Sequence, residues 1–162
     1  MNLQIRHACE GDCETLVGLI HELAVYERLG HEARATAEDL RRHLFGERPY
    51  ADALIAEDGG FAIGFALFFF NFSTFKGKPG IYLEDLFVKP EFRGRGIGKA
   101  LLARLARTAV ERDCGRFEWA VLDWNEPSIA FYKALGARPM EDWTVYRVDG
   151  DALEILAARD RE

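Results

Sequence analysis

Residues 93 to 99 read Arg93-Gly94-Arg95-Gly96-Ile97-Gly98-Lys99, three glycines alternating with larger and mostly basic residues. Glycine lets successive backbone N–H groups point into one concavity, and a helix beginning there adds the positive end of its dipole, so the run can seat a diphosphate. Arg93, Arg95 and Lys99 add positive charge. Two nucleotide motifs do not fit: a Walker A turn puts Ser or Thr after the lysine, where Ala100 stands, and G-x-G-x-x-G needs a glycine at Lys99 or Leu101. On the glycines alone, a helix start that merely needs a sharp turn is an equal reading.

Glu84 and Asp85 interrupt the apolar strand Ile81–Val88. Burying an ionised carboxylate is costly unless it is paired, hydrogen-bonded or near solvent, so two in succession call for an explanation. Strand neighbours alternate faces, which sets Glu84 with Tyr82 and Leu86, and Asp85 with Leu83 and Phe87; two separate tasks are expected rather than one compact dyad.

Around these residues the chain reads as one α/β domain over 1–162. A strand at Leu3–His7 precedes a helix with Leu16, Leu19, Ile20 and Leu23 at helical spacing, and Thr36 with Asp39 forms a capping box before Leu40, Leu44 and Phe45. Ala53–Glu57 and Phe61–Phe72 form a hairpin about Asp58-Gly59-Gly60. Ser73–Gly80 breaks the pattern before Ile81–Val88. The glycine run opens a helix with Leu101, Leu102, Leu105 and Ala109 inward, reaching about Asp113 and closed by Gly115. Phe117–Leu122 is a further strand, Glu126–Leu135 a helix closed by Gly136, Thr144–Val148 a last strand, and a short helix begins near Asp151. The order requires a sheet that mixes antiparallel hairpins with parallel crossovers.

Composition excludes several classes. The net charge of −6 on 162 residues argues against a face that binds nucleic acid, and suits a cationic partner better. The apolar run Phe61–Phe70 is about half the ~20 residues of a membrane-spanning helix, so no membrane partner is expected. Cys9, Cys13 and Cys114 cannot all pair within one chain, and the cytoplasm is the expected compartment. Cys9 and Cys13 near His7 lack a second ligand pair at zinc-like spacing, so they are expected to be small buried thiols and no metal is expected.

Arg93-Gly94-Arg95-Gly96-Ile97-Gly98 matches the R-x-x-G-x-G/A signature of the GNAT acetyltransferase superfamily, in the strand-to-helix position of that signature. Tyr82–Val88 and Trp124–Lys133 resemble its diamine acetyltransferase branch, which includes spermidine/spermine and thialysine acetyltransferases; the resemblance covers nearly the whole chain. It implies a mixed, mostly antiparallel sheet flanked by helices, with a splayed central strand pair. It also implies acetyl-CoA as co-substrate, its pantetheine arm pairing with the free backbone of Leu86, Phe87 and Val88 and its diphosphate held by Arg93 to Lys99, that is Gly94, Arg95, Gly96, Ile97, Gly98 and Lys99 with Arg93. Asn125, Ser128, Tyr132 and Lys133 would line the same cofactor.

The resemblance gives Tyr132 the role of general acid toward the departing thiolate, a role against which a plain core aromatic must be weighed. Glu84 would take the proton of the attacking amine, probing a cost of roughly 4 to 5 kcal/mol for freeing an amine lone pair at pH 7. Tyr26 and Glu27, Asp85, Trp119 and Trp143 would contact the amine, although Tyr26 and Glu27 also read as the exposed end of a helix. Only Asp58-Gly59-Gly60 joins the second and third strands, a shorter loop than in the vertebrate polyamine enzymes. A diamine, a polyamine, thialysine or a lysine-like amino acid therefore stay open as acceptors, with protein lysine or N-terminal acetylation and a non-catalytic acetyl-CoA sensor as competing readings. An apolar strand edge, an exposed last strand and the resemblance together suggest a homodimer.

Overall fold

The protein is described by a computed structural model over residues 1–160, in two compact units divided between Leu122 and Asp123. The first unit is built on a five-stranded sheet whose spatial order follows the sequence: β1 (Leu3–His7), β2 (Asp52–Asp58), β3 (Phe61–Ser73), β4 (Lys78–Val88) and β5 (Arg116–Trp119). The first four strands pair antiparallel and β5 joins β4 in parallel. A parallel neighbour requires a crossover, and α3 (Ile97–Glu111) lies in it.

Two helices precede β2, α1 (Cys13–Tyr26) and α2 (Ala37–Phe45). Leu16, Leu19 and Leu23 of α1 and Leu40 of α2 bury against Ala53, Ile55, Phe65, Leu67 and Phe87, with Leu44 and Phe45 packed around them. Alternation sends the intervening side chains, Leu54, Ala56, Ala66 and Phe68, to the other face, where the buried stripe of α3 is Ile97, Leu101, Leu102, Leu105 and Ala109. The capping box forms: Thr36 Oγ1 accepts from the Asp39 N–H at 3.2 Å, and Asp39 Oδ2 accepts from the Thr36 N–H at 2.9 Å. The hairpin at Asp58-Gly59-Gly60 forms too, with φ of 58° and 87° at its glycines.

Several boundaries differ from expectation. α3 stops at Glu111, and the left-handed residue beyond it is Asp113 (φ 52°) rather than Gly115. Gly115 instead lies where chains pass closely: its N–H donates to Pro79 O at 2.8 Å, and a Cβ there would stand 2.8 Å from Lys76 Cδ. β4 starts at Lys78, because Gly77 completes a tight turn that lets the β3–β4 ladder begin at Ser73↔Lys78. β5 ends at Trp119 instead of Leu122. Cys13 is buried as expected, but Cys9 is exposed, since it precedes the turn into α1 rather than entering its packed stripe.

The second unit holds α4 (Glu126–Ala134) and α5 (Gly150–Ala157). Thr144–Val148, expected as a strand, carries none. Its composition favours extension, but a strand exists only where a neighbour completes the ladder, and Val145 and Tyr146 are almost fully exposed. No helix among the described residues is long and apolar enough to cross a membrane.

Candidate active site

The glycine run takes the conformation a ligand-holding turn needs. Gly94 (φ 73°) and Gly96 (φ 80°) are both left-handed, and Gly96 is the N-cap of α3. A side chain rarely adopts such angles, and nothing lies within 4 Å of where a Cβ would sit on either residue. Residues 93 to 96 are exposed while Ile97 is buried and anchors the helix start. The turn is therefore an open main-chain surface at the N-terminus of a 15-residue helix, with Arg95 and Lys99 beside it, a fit for a diphosphate.

The strand before it departs from regular pleating at the acidic pair. Asp85 faces Leu67 and Leu83 faces Phe68, so Glu84 is an extra residue, a β-bulge. A bulge shifts the alternation by one. Leu83 shares a face with Phe68, toward α3, whereas Asp85 and Phe87 share the opposite face with Leu67 and Phe65, toward α1. The expected grouping of Asp85 with Leu83 is thus corrected. Immediately beyond the bulge, β4 also loses its other neighbour: its last rung with β5 is Leu83↔Trp119, while β4 runs on to Val88. This is the splayed central pair. It leaves Leu86, Phe87 and Val88 laddered to β3 alone.

The bulge gathers charge as well. Burial pushes the Asp85 carboxyl up from its ordinary 3.8 to about 6, and the negative charges of Glu84 and Glu27 push the same way. Burial likewise raises Glu27, at the end of α1. Tyr82 is raised by burial and then by Glu84 and Glu118, and its ring stacks on Phe69 at 5.2 Å. The charges of Glu84 and Glu27 thus both bear on Asp85, and the three carboxylates form an acidic group. Such a group lowers its energy by attracting a cation.

Tyr26 and Glu27 close α1, and the chain leaves it through Arg28, which has a left-handed φ of 63°. That conformation is costly for a residue with a Cβ. The Arg93 guanidinium lies over the Tyr26 ring, 4.4 Å from its centroid, and 5.5 Å from that of Phe87, while its Nε donates to Val88 O at 2.8 Å. Arg95 lies 5.4 Å from the Phe92 ring. Trp119 ends β5 in an edge contact with Phe117, 5.0 Å between centroids.

The remaining candidate residues belong to the second unit. Asn125 is buried and caps α4, its Oδ1 accepting from the Ser128 N–H at 3.3 Å. Tyr132 is half-buried on α4, 5.4 Å from Phe131 between centroids, and its carbonyl accepts from Leu135 and Ala137. Lys133 and Trp143 are exposed.

Residues 14–137 match the family described as the Acetyltransferase (GNAT) family. The chain belongs to the GNAT family of acetyltransferases. Among curated relatives, a thialysine N-epsilon-acetyltransferase of Bos taurus is 41% identical, over 97% of this chain and 98% of that one. An L-ornithine N5-acetyltransferase of Arabidopsis thaliana is 32% identical over 94% and 87%. Among solved structures, an integron cassette protein from the mobile metagenome of V. cholerae superposes with a TM-score of 0.82 at 32% identity, covering 97% of this chain and 98% of that one. This GNAT protein is therefore an acyltransferase with the family's mixed sheet.

Two features of the GNAT site were not read from the sequence. The bulge leaves no mark on the apolar pattern, because a strand buried on both faces stays apolar after a one-residue shift. The Arg93 contact with Tyr26 joins residues far apart in sequence; the only available signal was a lone arginine preceding the glycines.

Proposed function

We propose that this GNAT enzyme transfers the acetyl group of acetyl-CoA to a primary amine of a small cationic acceptor: a diamine, a polyamine, thialysine or a lysine-like amino acid. The observation that carries the reading is the coincidence, on one strand, of a bulge that sets an exposed carboxylate, Glu84, beside a half-buried one, Asp85, and a stretch freed from β5, directly before an open glycine turn. The named activities of the thialysine and ornithine relatives support it.

Acetyl-CoA supplies a thioester, whose carbonyl carbon accepts the amine. In the proposed roles, the backbone of Gly94, Arg95, Gly96, Ile97, Gly98 and Lys99 holds the diphosphate, and Leu86, Phe87 and Val88 offer peptide groups to the pantetheine amides. Asn125, Ser128 and Lys133 serve the cofactor from α4. Glu27 and Asp85 hold the ammonium by charge, Tyr26, Trp119 and Trp143 border it, and Glu84 takes its proton, directly or through water, so that the nitrogen attacks neutral. The C–N bond forms, the C–S bond breaks, Tyr132 delivers a proton to the sulfur, and the second proton lost by the attacking nitrogen passes through water to restore the Tyr132 phenol.

We further propose that the two units serve as one domain, since the family match crosses their boundary, and that the enzyme works as a homodimer in the cytoplasm, without metal, nucleic acid or membrane partner. The test is thiol release from acetyl-CoA with spermidine, putrescine, thialysine, lysine and a lysine-containing peptide, run beside sedimentation. Turnover with at least one small amine and none with the peptide is expected. Peptide-only turnover supports a protein acetyltransferase, no turnover at all a sensor, and a lone 18.4 kDa species contradicts the dimer.

A further inference from the structure

We infer that the Arg93 side chain is a positioning residue that ties the donor strand to the acceptor end of α1, and is not itself a diphosphate ligand. This rests on the reading that β4 and the glycine turn hold acetyl-CoA while the end of α1 borders the amine.

The basis is where the donors and the ring contacts of Arg93 go. Its backbone N–H donates to Pro90 O at 3.2 Å, closing the turn that follows β4. Its Nε donates to Val88 O at 2.8 Å, at the last residue of the strand stretch freed from β5. Its guanidinium then lies between two aromatic side chains, Phe87 from the same strand and Tyr26 from α1. A guanidinium over an aromatic face is held by the ring quadrupole, and its planar fork combines stacking with an in-plane hydrogen bond in a way an ammonium cannot. Arg93 thus joins the end of β4 and the start of the glycine turn, neighbours in sequence, to the last residue of α1, which is distant in sequence. Arg95 and Lys99 stay beside the open turn.

The coupling has a direction. When β4 and the turn are fixed by the donor, Val88 and Arg93 are fixed with them, and the Tyr26 ring is held in place. Tyr26 adjoins Glu27, whose charge acts on Asp85. Loss of the Arg93 contacts therefore loosens both sides, whereas loss of a phosphate ligand weakens only donors that carry phosphate.

Arg93→Lys separates these cases, since lysine is a competent phosphate partner but cannot make the stacked, hydrogen-bonded bridge. CoA and pantetheine, which lacks the diphosphate, are titrated calorimetrically into the wild type and the variant, and KM for the amine is measured. The expected result is that Arg93→Lys weakens CoA and pantetheine by the same factor, roughly three- to tenfold, and raises the amine KM by a similar factor. Tyr26→Leu, which removes the ring, reproduces the amine KM defect and adds nothing in combination with Arg93→Lys. The inference is overturned if Arg93→Lys leaves pantetheine affinity and the amine KM unchanged, or if its effects multiply with those of Tyr26→Leu. A wild-type protein that binds neither CoA nor pantetheine removes the underlying reading as well, a distinct result.

Discussion

Asp85→Asn is expected to make the enzyme more stable at pH 7 and much less active. The folded carboxyl has its pKa pushed up to about 6 from 3.8, first by burial and then by Glu84 and Glu27. A carboxyl whose folded pKa exceeds its unfolded value binds its proton more tightly in the native state. Folding stability then falls as pH rises from about 4 to about 6, and the loss is complete above that window. Asparagine cannot ionise, so the variant avoids a penalty of roughly 2 to 3 kcal/mol at pH 7, equivalent to a rise in Tm of about 5 to 10 °C.

Thermal melts at pH 7 and pH 4 check the sign: the gain is present at the first and absent at the second. An equal gain at both, or none at pH 7, contradicts the burial argument. In the role proposed for Asp85 the same charge holds the ammonium, so kcat/KM for the amine is expected to fall by about 10- to 100-fold. In the wild type, kcat/KM should decline as pH falls through about 6, and Asp85→Asn should remove that limb. Glu84→Gln is the companion variant, with the loss falling mainly on kcat.

Tyr132→Phe is expected to lower kcat by about 100- to 1,000-fold, the range for removing a placed general acid. KM for acetyl-CoA should change little, because the ring stays and only the hydroxyl is lost. The defect should shrink with acetyl thioesters of more acidic thiols, whose thiolates depart without a proton. The measurement is steady-state thiol release with acetyl-CoA and an acetyl arylthioester. A kcat within about twofold of wild type would return Tyr132 to the role of a packed aromatic on α4.

Both variants lie at the boundary of what the sequence discloses. The helical stripes of α1 and α3, the capping box at Thr36 and the hairpin at Gly59-Gly60 are written in local chemistry, and the structure forms each of them. The turn at Gly94 and Gly96 is legible for the same reason, since only glycine takes those angles freely. The misplaced features depend on neighbours. Thr144–Val148 has the residues of a strand but not the ladder, Gly115 looked like a cap where Asp113 takes the left-handed turn, and β5 stops where its pairing with β4 ends.

Strand β4 is the sharpest case. Two adjacent carboxylates announced that something would be needed there, yet strict alternation assigned them to unrelated faces. A single inserted residue at Glu84 reverses the pleat, turns Asp85 toward α1 and brings it under the charge of Glu27. No periodicity in a doubly buried strand reports such a shift.

The most direct test of the central claim is a calorimetric titration of CoA into the purified enzyme. One site per chain is expected, with a dissociation constant in the micromolar range, about −8 kcal/mol, and an affinity that weakens as salt rises because a charged diphosphate is being held. Absence of heat and of binding at millimolar CoA would contradict the account, since a main-chain turn that does not grip the diphosphate leaves the carboxylates of β4 with no acyl donor to serve.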